Sequence, residues 1–127
     1  TDVVEQYRSL LSAYGDPILH TGPLGSGQAV KLVNNLLFGA NVDLVAEASR
    51  ILTEMDVEPA MALDAISHCS GDSKVVQMAL RSGSIHALQN SAGKFIAKDR
   101  AVAGKVADEL GIKTGLLERA KPANTAD

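Results

Sequence analysis

Residues 22–55 read "GPLGSGQAVKLVNNLLFGANVDLVAEASRILTEM", and the way this stretch folds decides the rest. Its opening is rich in glycine, but from Gln28 to Met55 there is no proline and no turn cluster, and apolar residues recur almost all the way round a helical projection. A helix apolar on every side is a buried one. At a rise of about 1.5 Å per residue it would be about 40 Å long, the central post of a domain. Gly39 is its one weak position, tolerated where close packing needs a small residue.

The neighbouring segments are shorter. "DVVEQYRSLLSAY" (2–14) sets Val3, Tyr7, Leu10, Leu11 and Tyr14 at helical spacing, with Gly15 as a C-cap candidate. "ILHTG" (18–22) predicts a brief strand, the only strand candidate in the chain. Beyond the long helix, Pro59 marks the first turn of a helix ended by Gly71, and Asp72 or Ser73 caps a short helix to Arg81. "SGSIHALQNSA" (82–92) reads as a loop, residues 93–110 as a helix stopped by Gly111, and Thr114 begins a last helix that fades into a frayed "PANTAD" end. The expected class is all-α: a helical domain around one long central helix, preceded by a helix and one strand. One strand cannot pair with itself, so the front segment wants an upstream domain or a second copy.

A chain of 127 residues is one domain by length, and 46% apolar with 21% charged residues is ordinary globular usage. The net charge of −3, without any run of Lys or Arg, argues against nucleic acid, and the four aromatics, Tyr7, Tyr14, Phe38 and Phe95, offer little for base stacking. Asn, Asp, Glu or Arg interrupts each apolar run short of the roughly 20 residues of a membrane span, and residues 1–20 carry no signal-peptide pattern. A cytoplasmic setting without a membrane partner is expected. Cys69 stands alone and is expected to be a buried structural thiol. His20, His68 and His86 are too far apart for metal-ligand spacing, so no metal is expected.

Two phosphate-loop readings of the glycine stretch fail. Gly22 and Gly27 have Walker A separation, but Gln28 stands where the lysine belongs; Gly25 and Gly27 begin a dinucleotide fingerprint whose third glycine is Val30. A flexible linker remains possible on composition. Lys31 weighs against that reading, because it lies in the first turns of the apolar helix with Asn35 four residues later on the same face. Beside Val30, Leu32 and Val33 a lysine is poorly solvated, and desolvation disfavours the ammonium, which suits a group that takes and returns a proton. The alternative is a lysine that snorkels from the helix end.

Gly22, Gly25, Gly27, Lys31, Asn34 and Asn35, spaced G-x-x-G-x-G-x-x-x-K-x-x-N-N, resemble the interdomain segment of the β-hydroxyacid dehydrogenases, the family of 3-hydroxyisobutyrate dehydrogenase with 6-phosphogluconate dehydrogenase as a longer relative. "AEASRILTEMDVEP" (46–59), "SG" (70–71) and "FIAKDRAVA" (95–103) extend the resemblance, which runs from Asp16 to Lys121. It implies a parent with an N-terminal Rossmann domain that binds NAD or NADP and a helical C-terminal domain that carries a catalytic lysine and commonly builds a homodimer. Residues 1–21 would be the last helix and strand of the Rossmann domain, and residues 22–127 the catalytic and dimerisation domain, which binds no cofactor alone. A chain that opens with Thr1 inside a helix fits a piece of something longer.

By the same resemblance, Lys31 would be the general acid/base for a small hydroxyacid or semialdehyde, and Asn35 would hold the substrate and orient Lys31. Ser70, Gly71 and Ser73 would line the substrate pocket. Lys98 and Asp99 would serve the cofactor side, Lys98 facing cofactor or substrate carboxylate and Asp99 bracing a helix start; Gly22, Gly25 and Gly27 would form the interdomain loop. The Asn34–Asn35 pair favours the short hydroxyacid dehydrogenases, since 6-phosphogluconate dehydrogenase usually has His before the asparagine. Thr114 departs from the family, which often has proline there, and residues 82–92 lack the usual apolar-aromatic pattern. A stand-alone helical dimerisation module is the competing reading.

Overall fold

The computed structural model describes residues 2–119. Its chain separates into two compact units, Thr1–Leu32 and Val33–Asp127. The described residues contain helices and no strand: α1 (Asp2–Gln6), α2 (Arg8–Leu11), α3 (Ser26–Glu54), α4 (Pro59–Ile66), α5 (Lys74–Arg81), α6 (Ile85–Leu110) and α7 (Leu116–Arg119). The all-α class and the long central helix are as expected, but α3 is not buried on every side, since Val30, Val33, Leu37, Leu44 and Ile51 are exposed; the 122–127 tail lies outside the described residues.

In the first unit, the helix expected over 2–14 is broken at Tyr7 (φ −105°, ψ 8°) into two short pieces. The apolar stripe is present but buries nothing; Leu10 and Tyr14 are 58% and 88% exposed. A short helix without packing is marginal, so the interruption is unsurprising. Residues 18–21 are irregular rather than a strand, which corrects the expectation: among the described residues there is no second strand to form a ladder, and the Ile18 carbonyl accepts from Arg8 Nη1 at 3.2 Å instead. Gly22 (φ 132°) and Gly25 (φ 95°) make the left-handed turns that bring the chain to the start of α3.

The second unit holds the core. Val42, Val45 and Ala46 of α3 pack with Leu63 of α4, Val75, Val76 and Ala79 of α5, and Ile85, Leu88 and Ile96 of α6. Each large aliphatic buried there contributes roughly 1.5–3 kcal/mol. The helices begin as their caps direct: Glu58 accepts from Met61 N–H at 2.8 Å with Pro59 in the first turn of α4, and Ser73 accepts from Val76 N–H at 3.2 Å to start α5.

The stretch 82–92 is a correction. Instead of a loop, it supplies the first two turns of α6, capped by Ser84, whose Oγ accepts from Ala87 N–H at 3.1 Å. Ser, Gly and Asn gave this stretch a loop-like composition, yet Ile85, Leu88 and Ile96 share one buried face, and packing overrides composition. Gly111 (φ 65°) ends α6, with Ile112 N–H donating to the Ala107 carbonyl at 2.8 Å. Cys69 is also corrected: it is exposed, on the turn after α4, its Sγ donating to the Ala65 carbonyl at 3.4 Å.

By length and composition α3 is apolar enough to cross a membrane. Its middle nevertheless carries Asp43, buried and paired with Arg100 of α6, which ties the helix to its neighbour.

Candidate functional site

The seam between α3 and α6 is built from three α3 positions one turn apart, Asn35, Gly39 and Asp43, and from Ile96, Asp99 and Arg100 of α6. Asn35 Nδ2 donates to Asp99 Oδ2 at 3.0 Å. One turn on, a Cβ built on Gly39 would lie 2.9 Å from Arg100 Nε and 3.0 Å from Ile96 Cγ2. A side chain at 39 would therefore push the Arg100 and Ile96 side chains away from the α3 backbone that they cross. A further turn on, Arg100 Nη2 donates to Asp43 Oδ2, with the two side chains 22% and 9% exposed.

The chemistry of these rungs differs. Asp43 and Arg100 form a charge-assisted pair largely withdrawn from water, which fixes geometry at a desolvation cost. Arg100 Nε, buried over Gly39, has no hydrogen-bond partner among the described residues. Asn35 and Asp99 are only part-buried, so this end of the seam meets solvent. The Asn34 Nδ2 lies 3.5 Å from Asn35 Oδ1, at the outer limit of a hydrogen bond.

The other candidates are more scattered. Lys31 is in the second turn of α3 and is exposed, so the burial expected from its apolar neighbours is absent in this chain: Val30 and Val33 are exposed as well. Lys98 is exposed on α6, beside Asp99 in sequence. Asp99 does not brace a helix start, because it sits well inside α6, fourteen residues after Ile85; its carboxylate joins two helices instead. Ser70 and Gly71 occupy the exposed turn between α4 and α5, and the Ser73 oxygen serves the α5 cap. Of the glycines, Gly22 and Gly25 have positive φ in the loop, whereas Gly27 is already helical.

Asp43 and Arg100 were missed by sequence reasoning. Their signal was the Asn35–Gly39–Asp43 series, small or polar at four-residue intervals on an otherwise apolar helix. A separate groove of about 820 Å³ lies among Ser49, Arg50, Glu58, Leu63, His86 and Asn90. Its cation is engaged already: Arg50 bridges Glu47 and Glu54, and its hydrogen bond holds the Glu47 carboxyl below the usual range.

Comparison with known proteins now bears on the seam. Residues 25–124 match the family described as "NAD-binding of NADP-dependent 3-hydroxyisobutyrate dehydrogenase". The chain belongs to this family. Among its dehydrogenase-type relatives, 2-(hydroxymethyl)glutarate dehydrogenase of Eubacterium barkeri is 37% identical over 75 residues, covering 59% of this chain and 25% of that protein. An uncharacterized oxidoreductase of Synechocystis sp. is 38% identical over 60 residues, 47% of this chain and 21% of that protein. The chain thus spans about a quarter of the length of the curated relatives it matches. No solved structure matches it. The match to the dehydrogenase family takes in Lys31, the Asn35–Asp99 bond and the Asp43–Arg100 pair alike.

Proposed function

We propose that this chain is the helical, proton-transferring half of an NAD(P)-dependent β-hydroxyacid dehydrogenase that interconverts a small hydroxyacid and its semialdehyde. The observation that carries the reading is the Asn35–Asp99 bond, which holds a part-buried amide one helical turn along α3 from Lys31, within the residues of the family match. In the oxidation direction, Lys31 Nζ takes the substrate hydroxyl proton as the carbonyl forms, and returns it in reduction. Asn35 binds the hydroxyl oxygen's neighbourhood and keeps reactant and base in register.

A nicotinamide nucleotide, bound in the parent, supplies the hydride acceptor. Of the residues present, exposed Lys98 fits an outer contact with its phosphate or with the substrate carboxylate. Gly25-x-Gly27 leads to Val30 and not to a third glycine, and among the described residues no strand precedes it, so this stretch does not make the dinucleotide cradle. Lys31, exposed here, depends on a covering Rossmann domain for its desolvation, so the chain alone is inactive. The test is to join the chain to such a domain and follow nicotinamide reduction with a panel of short hydroxyacids. Turnover with β-hydroxyacids in the joined protein, and none with the chain alone, is expected; no turnover from a folded, nucleotide-binding joined protein would sink the proposal.

One observation favours a second role within the same reading. Leu37, Leu44 and Ile51, at seven-residue intervals on α3, are 49%, 64% and 44% exposed, an unpartnered seam of the kind that pairs helices. A second copy of the chain is the proposed occupant. In sedimentation, the wild-type chain should run as a dimer and Leu44→Arg as a monomer with unchanged helicity; a monomeric wild type would remove the homodimer.

A further inference from the structure

Asparagine has two faces, and which one it shows to a substrate is a chemical choice. Its amide can present an acceptor, Oδ1, or a donor, Nδ2. On α3 that choice is made by the residue across the seam. Asp99 meets Asn35 with a carboxylate oxygen at 3.0 Å, and an ionised carboxylate accepts only. The amide must therefore turn its NH2 to α6. If it turned the other way, two acceptor oxygens would face each other and the hydrogen bond would be lost.

We infer that Asp99 is a positioning residue, which fixes the Asn35 amide so that Oδ1 is the acceptor left for the reacting groups. The inference rests on the function proposed above, in which the substrate hydroxyl gives its one proton to Lys31, so that the donor left to face Oδ1 is the Lys31 ammonium. An acceptor holds that ammonium, whereas an NH2 in its place would oppose it. Asn34 Nδ2, at 3.5 Å from Oδ1, is too distant to hold the oxygen firmly and leaves it available.

The rest of the seam keeps Asp99 where it can act. The next residue, Arg100, is clamped to Asp43 and lies against Gly39, so α6 cannot slide or roll without breaking a largely buried ion pair. Asp99 therefore approaches Asn35 from a fixed direction. The same turn of α6 carries exposed Lys98, so one helix sets the amide and presents the cation.

Asp99→Asn tests this with almost no change in volume. An asparagine at 99 can accept from Asn35 or donate to it, so either orientation is satisfied and the preference disappears. In the joined two-domain enzyme, kcat should fall roughly twofold, in proportion to the fraction of amides left in the productive orientation, while nucleotide affinity stays unchanged. Asp99→Glu, which still only accepts, should recover part of that loss; Asp99→Gln should not. In the 127-residue chain itself, nuclear magnetic resonance should show the Asn35 side-chain NH2 more strongly protected from exchange in the wild type and in Asp99→Glu than in Asp99→Asn and Asp99→Gln. Equal protection in all four, or wild-type kcat in Asp99→Asn while Lys31→Ala abolishes turnover, overturns the inference. Turnover that survives Lys31→Ala removes the reaction assignment instead, and with it the catalytic role of Asp99, while the exchange data still decide whether the carboxylate holds the amide.

Discussion

Lys31→Ala in the joined dehydrogenase should lower kcat about 1,000-fold, within the range ascribed to a positioned acid–base group, and leave folding essentially intact. Lys31 is exposed in the second turn of α3, so its removal deletes no core contact, and alanine is the better helix former. The loss should appear in kcat more than in KM, because proton transfer belongs to the transition state and not to substrate binding. Lys31→Arg separates charge from proton transfer. Arginine keeps the cation but does not give up its proton in a protein, so it should be nearly as inactive as alanine. Steady-state kinetics on the two variants, with circular dichroism as the folding control, would decide; near-wild-type turnover in either variant would remove Lys31 from its role.

How much of this could be read from sequence depended on range. The long helix was legible because its evidence is local: no proline or turn cluster from Gln28 to Met55, with apolar residues on every side. Ser73 and Gly111 were legible for the same reason, as a cap and a stop act within a turn of themselves. Residues 82–92 were misread because their helicity depends on Ile85 and Leu88 reaching a core made by α3, α4 and α5, and composition does not record that. Residues 18–22 failed in the opposite sense, a strand pattern with no second strand beside it among the described residues. At the site, motif resemblance picked out Asn35 and Asp99 separately, but their bond crosses 64 positions of sequence and no spacing rule predicts it. The Asp43–Arg100 pair is equally remote. Cys69 was misplaced because a lone thiol is usually buried, and here it falls on an exposed turn.

That remote pair should also dominate stability. Arg100→Met removes the partner of a carboxylate that is only 9% exposed, and leaving such a charge buried and unpaired should cost about 3–5 kcal/mol. For a domain whose total stability is on the order of 5–15 kcal/mol, this is a large share. The double variant Asp43→Leu/Arg100→Met should regain most of the loss, since replacing a whole buried pair by apolar side chains of similar size is often near neutral. Urea unfolding of the 127-residue chain measures both. A single variant as stable as wild type would mean that water already screens the pair. The two variants should also differ at the other end of the seam: the unpaired Asp43 will pull its turn of α3 toward solvent and loosen the Asn35–Asp99 bond, whereas the apolar double variant keeps the helices together over Gly39. If Asn35 side-chain exchange accelerates in the single variant and returns in the double, the ion pair acts by setting the α3–α6 crossing and not by its charge, and stability and site geometry are two readings of one contact.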